Sequence, residues 1–141
     1  MRKNIPVVQK NSLGCGVACV AFVVGLSYQK TLKLFKNGKQ KANSQGFYCK
    51  ELVEVLNNQG MNFEYKYIKN KIKTKIYQNN SIIFIKRSKK YPLGHYLCRY
   101  KKLWMDPWIN FQKNKNIKKA KAGFRKRLPN QPIYVILPKT K

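Results

Sequence analysis

A single histidine and a single aspartate occur in this chain, His95 and Asp106, eleven residues apart. An imidazole beside a carboxylate is a general base with a fixed tautomer. The carboxylate takes one ring nitrogen and leaves the other for proton transfer. The segment His95-Tyr-Leu-Cys-Arg-Tyr-Lys-Lys-Leu-Trp-Met-Asp106 reads as a hairpin turning between Tyr100 and Lys101. That register pairs 95 with 106, 97 with 104 and 99 with 102, and opposed side chains share one face about 4.5–5.5 Å apart. A slip of one residue would send the two to opposite faces. The turn also lacks the Asn-Gly chemistry of tight hairpins.

A nucleophile must come from elsewhere in the chain. Gly14-Cys15-Gly16 directly precedes the most apolar segment, 17–26. A thiol at a helix N-terminus meets unpaired N–H groups and the positive end of the helix dipole, both favourable to thiolate. Cys19, one turn on, is expected to face the core. Gln9 lies six residues before Cys15 and offers an amide donor that can join a backbone N–H in holding an oxyanion. Other uses of these side chains are open: Cys15, Cys19, His95 and Cys98 form a zinc-ligand set on paper, though at unusual spacing.

Several elements must position these groups. The 17–24 segment is apolar nearly all round, which marks a central helix. Ser27 caps a second helix carrying Tyr28, Leu32 and Phe35, with Asn37-Gly38 as its stop; Ser44 starts a third that carries Phe47, Leu52, Val55 and Leu56 to Gly60. The pattern then shortens to aromatic and β-branched runs at 62–68, 81–85, 95–100, 103–105 and 132–137, as strands are. Residues 69–77 suit an edge strand or a surface loop. The block 113–127 reads as a surface helix or solvated loop. Helices first and a largely antiparallel sheet afterwards give an α+β fold, with the N-terminal helix carrying the nucleophile against the sheet. At 141 residues without a repeat or linker, one domain spanning 1–141 is expected.

Composition removes alternatives. Lys and Arg number 31 against 4 Asp and Glu, a net charge of +27. With only Glu51, Glu54, Glu64 and Asp106 available, calcium sites, di-iron sites and glycosidase carboxylate pairs lack their ligands or acids. No apolar run approaches the roughly 20 residues that span a bilayer, and the polar 9–12 segment does not suit a cleavable leader. A cytoplasmic protein with free thiols at 15, 19, 49 and 98 is the expectation. A hydrophobic fraction of 43% is enough for a packed core. The charge attracts polyanions, first through Lys113, Lys115, Lys118, Lys119, Lys121, Arg125, Lys126 and Arg127.

Gln9-(five residues)-Cys15-Gly16-Val17-Ala18-Cys19, then Gly94-His95-Tyr96 and Met105-Asp106-Pro107, resembles in order and content the bacteriocin-processing peptidases, a papain-like family of cysteine peptidases. The resemblance spans roughly residues 6–108. It implies a papain-like fold, Cys15 as nucleophile, His95 as general base, Asp106 as its orienting group and Gln9 at the oxyanion. It further implies a peptide or protein substrate cut after small residues such as Gly-Gly, with no metal or organic cofactor. Gly14 departs from that family, in which an acidic residue is common at this position. The competing reading is a basic nucleic-acid- or ribosome-associated binding protein built on an inactivated peptidase fold.

Overall fold

The computed structural model describes residues 5–139. Four helices precede the sheet: α1 (Cys15–Val24), α2 (Tyr28–Leu32), α3 (Gly38–Ser44) and α4 (Cys49–Asn58). The six strands are β1 (Phe63–Tyr67), β2 (Ile82–Ile85), β3 (His95–Tyr100), β4 (Leu103–Asp106), β5 (Gly123–Arg125) and β6 (Pro132–Pro138). Every pairing is antiparallel, in the order β1-β6-β2-β3-β4-β5. The architecture is the α+β arrangement expected from the sequence.

Alternation along each strand divides the core between two faces. Ile82, Tyr96, Cys98, Met105 and Ile136 face the helices, where they pack with Val17, Val20, Leu52 and Leu56. Ile83, Ile85, Leu97, Trp104 and Val135 form the opposite face, covered by Ile76, Tyr91 and their neighbours. Both faces of β2 are therefore buried, which explains its unbroken apolar run. Residues 16–22 of α1 are buried all the way round, so the helix is held by packing on every side.

Helix boundaries depart from the sequence reading after Ser27. That residue does cap α2, accepting from the Lys30 N–H at 3.2 Å, but α2 ends at Leu32 and turns carry the chain through Phe35. Gly38 begins a further helix rather than stopping one, and Ser44 ends it, donating back to the Gln40 carbonyl at 2.7 Å. The α4 start falls at Cys49, where the Glu51 carboxylate reaches back to the Tyr48 N–H at 2.9 Å. Residues 70–72 and 75–77 are single 3-10 turns, which settles 69–77 as a loop. The 113–127 block is neither a helix nor wholly a loop: after a 3-10 turn at 117–119 it supplies edge strand β5.

Candidate active site

The β3–β4 hairpin turns one residue later than expected. Observed partners are Cys98 with Met105, Arg99 with Trp104 and Tyr100 with Leu103. The loop is Lys101-Lys102, and Lys101 takes a left-handed φ of 54° while its N–H donates to the Asn79 side chain at 2.9 Å. That outside contact supports a turn whose own residues do not favour it. Moving the turn by one residue moves each strand partner by two. The face is preserved, and His95 and Asp106 stand diagonally instead of directly opposed.

Their side chains meet nonetheless. His95 Nε2 lies 2.7 Å from Asp106 Oδ1, with both residues buried. Asp106 is saturated: Oδ1 also accepts from the Trp108 N–H at 2.9 Å, and Oδ2 accepts from Arg125 Nη1 at 3.1 Å. Burial pushes the Asp106 carboxyl up. The His95 charge and the hydrogen bonds from His95, Trp108 and Arg125 outweigh it, and the carboxyl lies below its ordinary value. For His95, burial disfavours the imidazolium, but the Asp106 charge and hydrogen bond, together with a hydrogen bond to Cys15, raise it above the usual histidine value.

With Asp106 on Nε2, Nδ1 is the ring nitrogen left for Cys15. The thiol sits at the first residue of α1 and its sulfur accepts the Tyr96 N–H at 3.4 Å. The helix therefore brings its N-terminus over the edge of β3, next to the one imidazole in the chain. No side chain caps this helix start. Gly14 is required there by close approach: a Cβ would fall 1.9 Å from the Tyr28 hydroxyl. That hydroxyl donates to Asn11 Oδ1 at 2.8 Å, and Asn11 in turn donates to Asn43 at 2.9 Å. An uncharged Tyr28–Asn11–Asn43 chain fills the space that a side chain at 14 would take. Gly94, at φ 75°, lies beneath the Phe84 ring, which a Cβ would meet at 2.2 Å.

Gln9 is buried on the wall of the same cleft, and its backbone N–H donates to the Pro107 carbonyl at 3.2 Å, tying it to the segment after Asp106. Its amide is turned inward. Nε2 donates to the Asn11 and Ser12 carbonyls, both at 3.1 Å, while Oε1 is buried with no partner among the described residues. In this conformation both amide hydrogens serve the Gln9 loop. An oxyanion would have to draw one of them away.

The other thiols are placed differently. Cys19 and Cys98 are fully buried in the core, and burial pushes both thiols up; Cys49, half-buried at the start of α4, is also raised by burial. All four cysteines are unpaired. Among the described residues no three of His, Cys, Asp and Glu gather as metal ligands do. Nor is any helix there long and apolar enough to cross a membrane.

Cys15, His95 and Gln9 open onto a cleft of about 1030 Å³. Phe47 and Tyr48 from the helical side, Phe84 and Tyr134 from the sheet, and Tyr91, Trp108 and Phe111 from the loops line it. Trp104, by contrast, is core. A second hollow of about 720 Å³, lined by Lys66, Lys69 and Lys71 with Tyr67, Asn70 and Ile72, holds no comparable group. Sequence reasoning missed Arg125 as a member of the site. It stood among the residues expected to meet polyanions, yet its guanidinium is turned to Asp106. Its only signal was the Gly123-Phe124-Arg125 triplet, whose single large apolar residue is lost among lysines.

Comparison with known proteins bears on the family and the fold. The family model described as the peptidase C39 family matches residues 3–136. A comparison with curated proteins returns no significant match. Among solved structures, the peptidase domain of Streptococcus ComA, a bifunctional ABC transporter involved in quorum sensing, is similar with a TM-score of 0.53 and 20% identity. The match covers 95% of this chain and 98% of that one. At that identity the likeness speaks for the fold, which is papain-like, while the family match spans nearly the whole chain. On that match the chain belongs to the peptidase C39 family and is a papain-like cysteine peptidase.

Proposed function

We propose that Cys15 is the nucleophile of this peptidase, with His95 as its base and Asp106 holding the imidazole. The observation that carries this reading is the 2.7 Å contact between His95 Nε2 and Asp106 Oδ1, which leaves Nδ1 free for Cys15, whose sulfur meets the N–H of the next residue, Tyr96. His95 takes the thiol proton and Cys15 Sγ attacks the scissile carbonyl. The proton passes to the departing amine, and water then releases the acyl group. The free N–H groups at the start of α1 stand next to the attacking sulfur and serve the oxyanion. Gln9 joins them by turning its amide out of its own loop.

The substrate is a peptide or protein cut after small residues of the Gly-Gly type. The family resemblance supports this, as do the aromatic side chains that crowd the cleft around Cys15. Lys50, Lys86, Arg87 and Lys115 also line the cleft, and its one acid, Glu51, is engaged by Lys41. That balance favours an acidic substrate, and it is the part of the +27 charge with the most direct bearing on function. Incubation with acidic peptides containing or lacking a Gly-Gly pair, read by mass spectrometry, tests the reading. Cleavage after Gly-Gly that disappears in Cys15→Ala is expected. Cleavage that persists in Cys15→Ala removes Cys15 from the role. Cleavage blind to the Gly-Gly pair removes the specificity.

A further inference from the structure

His95 is held by more than Asp106. The Tyr91 ring stacks on the imidazole, centroids 5.2 Å apart and planes within 22°. Tyr91 is in turn backed by Phe111, stacked at 5.4 Å. The Tyr91 hydroxyl is within reach of the Arg125 guanidinium and of Gln112. Arg125 Nη1 donates to Asp106 Oδ2 at 3.1 Å, and its Nε donates to the Arg127 carbonyl at 2.9 Å, which fixes the fork. Asp106 grips the imidazole in its plane and Tyr91 covers its face, while the Arg125 guanidinium holds Asp106 from behind.

Strand register explains how Arg125 reaches Asp106. Asp106 lies on β4 between β3 and β5, with Arg125 paired to Trp104 and Gly123 paired to Asp106. Arg125 is therefore diagonal to Asp106 on one side as His95 is on the other, all on one sheet face. A planar guanidinium suits this position, since one N–H serves the Asp106 carboxylate while Nε serves the Arg127 carbonyl.

We infer that Arg125 and Tyr91 are positioning residues of the reaction: they hold the His95–Asp106 pair in the orientation that Cys15 needs. The inference rests on the catalytic reading above. The ionisable groups packed around the pair are Cys15 and Cys19 from α1, Tyr91 from the loop before β3, and Arg125 from β5. Removing the guanidinium takes a positive charge from beside Asp106. The carboxylate is left to His95 and the uncharged Trp108 N–H, so the imidazolium becomes more stable.

The chain has one histidine, so its ring signals in an NMR titration need no assignment by mutation. In Arg125→Gln the His95 midpoint is expected to rise by roughly one pH unit. The kcat is expected to fall about tenfold with KM little changed, as a misaligned base would produce. Arg125→Met, which keeps the stem and its packing, gives the same shift if the glutamine variant does not fold. Tyr91→Phe keeps the stack and removes the hydroxyl; its loss in kcat combines less than additively with that of Arg125→Gln. An unchanged His95 midpoint in a folded Arg125 variant overturns the inference. The underlying reading fails separately, if Cys15 of the unaltered protein reacts with iodoacetamide no faster than Cys49.

Discussion

The two sides of the cleft are built by different means. Cys15 is held by the apolar packing of the helix behind it, sealed on every side through residue 22. Its sulfur accepts the Tyr96 N–H and stands beside the His95 ring. His95 and Asp106 are held by directional contacts: two hydrogen bonds on one carboxylate oxygen, a guanidinium on the other and a stacked phenol. Cys15 is located by shape and His95 by charge. The two sides should then fail differently, one through volume changes and the other through single polar atoms.

The largest effect is expected on the charged side. Asp106→Asn is nearly isosteric but cannot hold an imidazolium, and kcat should fall by about a hundredfold or more. Its stability profile should also change shape. His95 is raised in the folded state, so the pair stabilises fully below the unfolded histidine value near 6.5, and that contribution is lost as pH rises through the folded value. Asp106 is lowered, so the contribution is present above the unfolded value near 4 and is lost again as pH falls through its folded value. Melting temperatures across pH should show the unaltered protein most favoured over Asp106→Asn between about pH 4 and 6.5. An equal difference at all pH values would mean that the pair carries no charge coupling.

On the packed side, Gly14→Ala drives a methyl into the Tyr28 hydroxyl. A loss of about 2 kcal/mol in urea unfolding is expected. The double variant Gly14→Ala, Tyr28→Phe should recover part of it, because the colliding oxygen is gone. The smallest effect lies at the rim, where Arg87→Glu should raise KM for an acidic peptide about threefold at low salt and lose its effect at high salt. If the charged rim matters more than Asp106, the division between the two sides is wrong.

Much of this was legible in the sequence because the strongest signals were local. The 95–100 and 103–105 runs read as adjacent strands, the chain has one imidazole, and Asp106 is the one carboxylate on the neighbouring strand. The register error at Lys101-Lys102 arose because a side chain twenty-two positions away, Asn79, supports the turn. Arg125 escaped for a similar reason: a three-residue edge strand has too little pattern to stand out from the surrounding lysines, and only pairing with β4 defines it. The inward-turned amide of Gln9 depends on carbonyls two and three residues on, which spacing alone does not orient. Gly38 and Ser44 were misread because stop and start residues serve either end of a short helix.

Of the four thiols, Cys15 is the one proposed to be activated by the imidazole beside it. The most direct test is the iodoacetamide alkylation rate of each cysteine at pH 6, followed by peptide mass spectrometry, in the unaltered protein and in His95→Ala. The account predicts Cys15 modified about a hundredfold faster than Cys49, with that advantage lost in a folded His95→Ala. Equal rates for the two thiols, or a Cys15 rate indifferent to His95, would contradict it.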